Sequence, residues 1–243
     1  MTNQNTTIHI YPKRILIGLL GIIGILIALS IYGQRIRFFG VADIRGAWHE
    51  FWLDLLMQAF YLDAEGNIST HVNALLLFLP ALLLILISMW KNTNGDKFRL
   101  HWLGLGLIFL FLSFDEAAVL HERLIKPTRA ILDTGGIFHF AWIIPGMIVV
   151  ALFGLTFLTF FLHLDKKFKV LFFFSLAVYI GGVIGGEMLS GYVAANLGQK
   201  NFTYAVVASI EESIELIGAS LIAYSLLEYI RYYLPDGITV KMT

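Results

Sequence analysis

The sequence predicts an all-α, polytopic membrane protein, and three observations carry that prediction. Hydrophobic residues make up 58% of the chain, and a mean hydropathy of +0.78 is far above that of a soluble domain. Apolar stretches near the roughly 20 residues needed to cross a bilayer recur along the whole sequence. The connections between them are too short to hold a soluble domain. Residues 1–243 are therefore expected to form one membrane domain, with six spans near 15–32, 73–90, 102–120, 137–162, 170–197 and 203–230.

Residues 15–32 (ILIGLLGIIGILIALSIY) follow Lys13 and Arg14 and resemble a signal peptide, with Ala-Leu-Ser at 28–30 as a tolerable cleavage site. The length of the apolar run favours a retained anchor. In the connection 33–72, Trp48, Phe51, Trp52, Leu55, Leu56, Ala59 and Phe60 recur at helical spacing, opposite His49, Glu50, Asp54 and Gln58. A helix near 47–61 is expected to lie in the outer interface and roof what is beneath. Asp-Ala-Glu-Gly-Asn (63–67) has the alternating acids of a calcium loop, but the spacing does not continue, so a turn is expected. In the fifth span, Gly181/Gly185 and Gly182/Gly186 sit four residues apart, a spacing that lets helices approach closely in lipid.

Loop charge sets the orientation. With the N-terminus inside, ten basic residues (Lys13, Arg14, Lys91, Lys97, Arg99, Lys166, Lys167, Lys169, Arg231, Lys241) face inward and seven (Arg35, Arg37, Arg45, Arg123, Lys126, Arg129, Lys200) face outward. Both ends are thus expected in the cytoplasm. The chain has no cysteine, which excludes disulfides, thiol catalysis and cysteine-ligated zinc, and its zero net charge gives no basic surface for nucleic acid.

The acids carry the functional signal. Asp115 and Glu116 fall in the third span, Glu187 in the fifth, and Glu211, Glu212 and Glu215 in the sixth. At 1.5 Å per residue they lie about five, ten and eight residues below the outer surface, in one slab of the outer half. Glu211, Glu212 and Glu215 share a helical face, and a helix continuous through 122 would align Asp115 with Glu122 while separating Glu116 from His121. A charged acid at a span's centre costs roughly 2.5–3.5 kcal/mol on insertion scales. No Lys or Arg lies within the spans, so protonation, bound cations, a wet cavity, or Arg123 and Arg129 folding back must supply the compensation.

His49, His71, His121 and His139 lie at the same end, and carboxylate with imidazole is a first shell for Zn, Mn or Fe, as carboxylate alone is for Ca or Mg. Asp115, Glu116, His121, Glu122, Glu187, Glu211 and Glu215 are therefore expected to ligate a divalent metal ion, with Glu212 as a catalytic base. The Glu-x-x-His pairs of di-iron bundles and the His-Glu-x-x-His of zinc proteases are absent. Ser113 and Asp115 resemble only a fragment of membrane ceramidase-like sites, and no histidines are spaced for two haems.

The stretches HWLGLGLIFLFLSFDEAAVLHERL and ASIEESIELIGASLIAYSL resemble a group of uncharacterised bacterial multipass membrane proteins, with Leu-Ser-x-Asp-Glu, then His-Glu, then an acid-rich last helix. The likeness covers about residues 60–230 and implies a bacterial envelope protein without an activity, and the inner membrane is the expected location. Three functions stay open. One is a metal-binding membrane protein acting as an enzyme on a lipid-like substrate. Another is a cation- or proton-coupled transporter or channel, and the third a structural or partner-binding protein with protonated or Arg-paired acids. The partners implied are the lipid bilayer and a lipid-soluble small molecule, with oligomerisation open.

Overall fold

The computed structural model describes residues 6–40, 46–234 and 238–240, so Arg45 and Lys241 of the charge count lie outside the described residues. Helices dominate: α1 (Pro12–Phe39), α2 (Ala47–Ala59), α3 (Ile68–Thr93), α4 (Arg99–Ala118), α5 (Ile125–Leu132), α6 (Ile143–His163), α7 (Lys166–Ile180), α8 (Glu187–Leu197) and α9 (Phe202–Tyr233). Short 3₁₀ turns cover His121–Leu124 and Gly136–Phe138, and a π-helical stretch, Gly181–Gly186, joins α7 to α8. Strands β1 (Thr6–Ile8) and β2 (Ile238–Val240) pair antiparallel, which puts the two ends of the chain together.

Among the described residues, five helical segments are long and apolar enough to cross a membrane: α1, α3, α4, α6, and α7 continued through α8. They turn large apolar side chains outward, Ile17 at 70% exposure and Leu155 at 71%, as contact with lipid requires. The expected sixth span is α9, which is not one of those five. It is instead the buried axis of the bundle, packed against α1, α3, α7 and α8. Small and hydroxylated residues make these contacts, as they do between helices packed in lipid. Ser30 meets Ser209 at 3.1 Å, Ser175 meets Ser225 at 2.8 Å, and a Cβ on Gly218 would lie 2.5 Å from the Tyr179 backbone.

Local chemistry sets the boundaries. Pro12 opens α1, where its missing N–H costs nothing, while Asn67 and Asn201 cap α3 and α9 by accepting from Thr70 and Tyr204 N–H groups at 3.0 and 2.9 Å. Residues 63–67 form the expected turn, with Gly66 at φ +69°. Two expectations are corrected. The span expected from 137 starts at Ile143, because Gly135 and Gly136 break the run and Gly136–Phe138 forms a 3₁₀ turn. The third span ends at Ala118, where Val119 adopts the left-handed conformation (φ 52°, ψ 45°). Helix α2 packs beside α1, with Gln34 donating to the Met57 carbonyl at 3.0 Å. It contributes no wall to the cavity described next.

Candidate functional site: an acidic cavity

Six of the cavity-lining carboxylates come from three helices, and a seventh from the turn after one of them. Glu187 stands at the start of α8, Glu211, Glu212 and Glu215 near the start of α9, and Asp115 and Glu116 at the end of α4, with Glu122 in the turn beyond. The π stretch brings the first two groups together. A Cβ on Gly186 would lie 2.7 Å from Glu211 Cγ, and one on Gly182 would lie 2.9 Å from the Glu215 backbone nitrogen. The other pair, Gly181 and Gly185, has nothing within 4 Å. Only glycine lets α9 seat its acids so close to the neighbouring helix. Such π segments recur where a helix is re-aimed for function.

All eight residues singled out from sequence (Asp115, Glu116, His121, Glu122, Glu187, Glu211, Glu212 and Glu215) line one cavity of about 160 Å³. The loop before α3 adds Asp63 and Glu65, giving, among the described residues, nine carboxylates, one imidazole and no Lys or Arg in its lining. Phe140, Trp142, Tyr179 and Tyr204 complete much of the wall. Its floor is apolar, formed by Leu77, Leu112 and Val183 beside Tyr179.

Hydrogen bonds orient several acids. His121 Nδ1 lies 2.9 Å from Asp115 Oδ2, Asn73 donates to Glu116 at 3.0 Å, the Trp142 indole to Glu187 at 3.0 Å, and the Tyr204 hydroxyl to Asp63 at 3.2 Å. The Asp115–His121 contact exists because the chain turns at Val119, so the continuous stripe from Asp115 to Glu122 expected of an unbroken helix does not form. Gly186 seats the Glu211 side chain beside the start of α8, next to Glu187. Glu211, only 5% exposed, keeps Oε2 without a hydrogen-bond partner among the described residues.

Neither Arg123 nor Arg129 reaches in. Arg129 donates to the His139 carbonyl, Arg123 is exposed, and among the described residues the cavity's one ion pair is Asp115 with His121. Ser113, part of the ceramidase-like fragment, donates to the Ala74 carbonyl at 2.8 Å and ties α4 to α3. Of the histidines only His121 lines the cavity. His101 and His163 sit in an aromatic cluster with Phe98 and Phe160 at the other end of the bundle.

Ionisation at the rim follows from these surroundings. Burial pushes the Asp63 carboxyl up to about 6, with the hydroxyls of Tyr61 and Tyr204 offsetting it only in part. Desolvation, then Glu116 and Glu122, push Glu65 up to about 7. Burial pulls the His121 imidazole down, but Asp115, Glu187 and Glu116 outweigh it and hold it above the ordinary histidine value. Among the described residues, no three His, Asp or Glu side chains converge as ligands of a single ion.

Sequence reasoning missed Asp63, Glu65, Asn73, Trp142 and Tyr204. Two of them carried a signal: Asn73 is a lone amide in an apolar run, and Tyr204 stands seven and eleven residues before Glu211 and Glu215, on the same helical stripe. No curated protein and no solved structure matches the chain. Residues 16–229 match the family described as Domain of unknown function (DUF8692), and the chain belongs to that family.

Proposed function

We propose that this chain is an integral protein of a bacterial inner membrane, one membrane domain with six spans and both ends in the cytoplasm, that binds a cation in an acidic cavity of its outer half. One observation carries the proposal: among the described residues, nine carboxylates share one cavity whose lining holds no Lys or Arg. Carboxylates at such density persist only with protons, water or a cation among them. The pairing of β1 with β2 supports an even number of crossings, and the buried α9 supplies the sixth. The apolar floor favours a one-sided site over a path through the membrane.

A divalent metal ion is the first occupant to test. Asp115 engages Nδ1 of His121 and leaves Nε2 as the ligating nitrogen, an arrangement in which a carboxylate fixes the imidazole's orientation. Glu187, Glu211 and Glu215 then supply oxygen ligands, with Glu116 and Glu122 beside them, and the set draws together on binding. An enzyme built on this site would use Glu212 as its base.

The test is Mn²⁺ binding and elemental analysis of detergent-purified protein, wild type beside the Glu211→Gln/Glu215→Gln double variant. Bound metal in the wild type and none in the double variant is expected. Full retention in the double variant would sink the ligand assignment, and no uptake by either protein removes metal as the occupant. Binding displaces protons from Asp63 and Glu65, so affinity should rise roughly tenfold as pH passes upward through about 6 and 7. A flat profile would show that these two carboxyls do not face the bound ion.

A further inference from the structure

Directly beneath the acidic cavity lies a second one of about 100 Å³, lined only by apolar side chains. The two occupy successive levels of the same helices. On α4 the upper cavity uses Leu112, Asp115 and Glu116 and the lower uses Trp102, Leu105 and Phe109. On α7 the corresponding levels are Tyr179 above and Phe172 and Leu176 below, and α9 gives Glu211 and Glu215 above and Ile222 and Leu226 below. A single layer separates them, where the rings of Phe109 and Tyr179 stand 6.5 Å apart. From Trp102 to Glu116 the combined site runs about 21 Å along α4.

Helix α6 packs against the bundle only near its two ends. Its only buried residues are Ile143 and Phe160, near its two ends, while Ile148, Val149, Leu152, Phe153 and Leu155 between them are exposed. The lower cavity is closed on this side by Phe157, Phe160 and Phe161 of α6, so a hydrocarbon chain reaching it from lipid passes along this helix.

We infer that the two cavities form one site for a long-chain amine, its ammonium head among the carboxylates and its hydrocarbon tail in the apolar slot. The inference rests on the cation reading above and names the cation. Three features select an ammonium over a bare metal ion. Among the described residues, the carboxylates spread around the cavity without three converging on a point. Aromatic side chains, Phe140, Trp142, Tyr179 and Tyr204, share the lining with them, and aromatic faces with carboxylates are what alkylammonium heads recognise. The buried Glu211 Oε2, without a partner, offers an acceptor for an N–H donor. A negatively charged head meets only repulsion there, and a neutral one leaves the charge uncompensated.

The experiment is native mass spectrometry of the full chain released from lipid nanodiscs, with dodecylamine, dodecanol and butylamine as probes and Mn²⁺ as competitor. Dodecylamine should bind about tenfold more tightly than either other probe, and Mn²⁺ should displace it. Phe109→Trp, which fills the slot, should erase the advantage of the long chain while leaving Mn²⁺ binding unchanged. Leu105→Phe serves the same purpose should the first variant fail to fold. The Glu211→Gln/Glu215→Gln variant should erase the preference for amine over alcohol and keep the preference for length. Equal binding of dodecylamine and dodecanol, or a chain-length preference untouched by both slot variants, overturns the inference while Mn²⁺ binding keeps the cation reading alive. Failure of the wild type to bind either Mn²⁺ or any amine overturns both.

Discussion

Glu211 and Glu228 stand near opposite ends of α9 and are almost equally buried, at 5% and 4% exposure, but their surroundings differ in kind. Glu228 Oε2 lies 2.9 Å from Arg231, three residues along the same helix, and 3.9 Å from Lys167 on α7. Glu211 packs on Gly186 next to Glu187, has Glu215 a turn away, and has no cation of the described chain within ion-pair distance. Desolvation costs both carboxylates alike; the described residues compensate one and not the other. A buried acid therefore says little about function until its counter-charge is found, and the mismatch at the outer end points to a ligand.

The largest expected effect comes from the seat that holds the outer acids in place. Gly182→Ala would set a methyl 2.9 Å from the Glu215 backbone nitrogen and 2.8 Å from its Cγ, and since backbone cannot swing aside, α9 has to shift. We expect a loss of about 2–3 kcal/mol, seen as a lower Tm in detergent, together with weaker cation binding. Gly181→Ala, one residue earlier, meets nothing within 4 Å and should leave Tm unchanged or slightly raised. Equal Tm values for the two variants would mean that the glycine pair does not position the site.

Neutralising the acids tests the comparison directly, because the two ends should respond with opposite sign. In cation-free buffer, Glu211→Gln/Glu215→Gln relieves like-charge crowding and should stabilise the protein by roughly 1–2 kcal/mol. Glu228→Gln removes the partner of two cations and should destabilise it. The cost is about 1 kcal/mol and no more, since the Arg231 and Lys167 side chains are each 55% exposed and water takes over part of the compensation. Thermal unfolding of the three proteins decides it, and a shared sign would collapse the distinction between a ligand site and a structural pair.

How much of this was legible follows from which physical signals are one-dimensional. Depth is: counting residues from the ends of apolar runs put Asp115, Glu187 and Glu211 in one slab, and the structure places them around one cavity. Four-residue glycine spacing is too, although sequence could not say which pair faces α9, a choice made by the π winding of Gly181–Gly186. Loop conformation is not. Asp63 and Glu65 sit in a turn whose composition predicts only a turn, and their direction depends on Asn67 capping α3 and on Tyr204 reaching across from α9. The fold-back of Arg123 and Arg129 failed for a related reason: the segment beyond α4 forms its own short helix, α5, and Arg129 there bonds the His139 carbonyl.

The smallest expected effect concerns the residue where sequence and structure part most clearly. Nothing in Ala-Ala-Val-Leu-His signals a break, and a β-branched residue is a poor choice for the left-handed conformation, which costs L-residues about 1–2 kcal/mol. The turn at Val119 nevertheless carries His121 back to 2.9 Å from Asp115, a contact unavailable to a straight helix at that separation. Conformational strain kept beside a candidate site is consistent with the site needing that geometry. Val119→Gly should relieve the strain and raise stability, by less than about 1 kcal/mol once glycine's greater unfolded-state entropy is counted. It should also keep the Asp115–His121 pair and the cation affinity. Val119→Ala retains the strained backbone and should gain nothing. Should the alanine variant instead gain stability and lose cation binding, the helix has straightened past residue 119 and taken the imidazole away from Asp115, which would make the turn itself a determinant of the site.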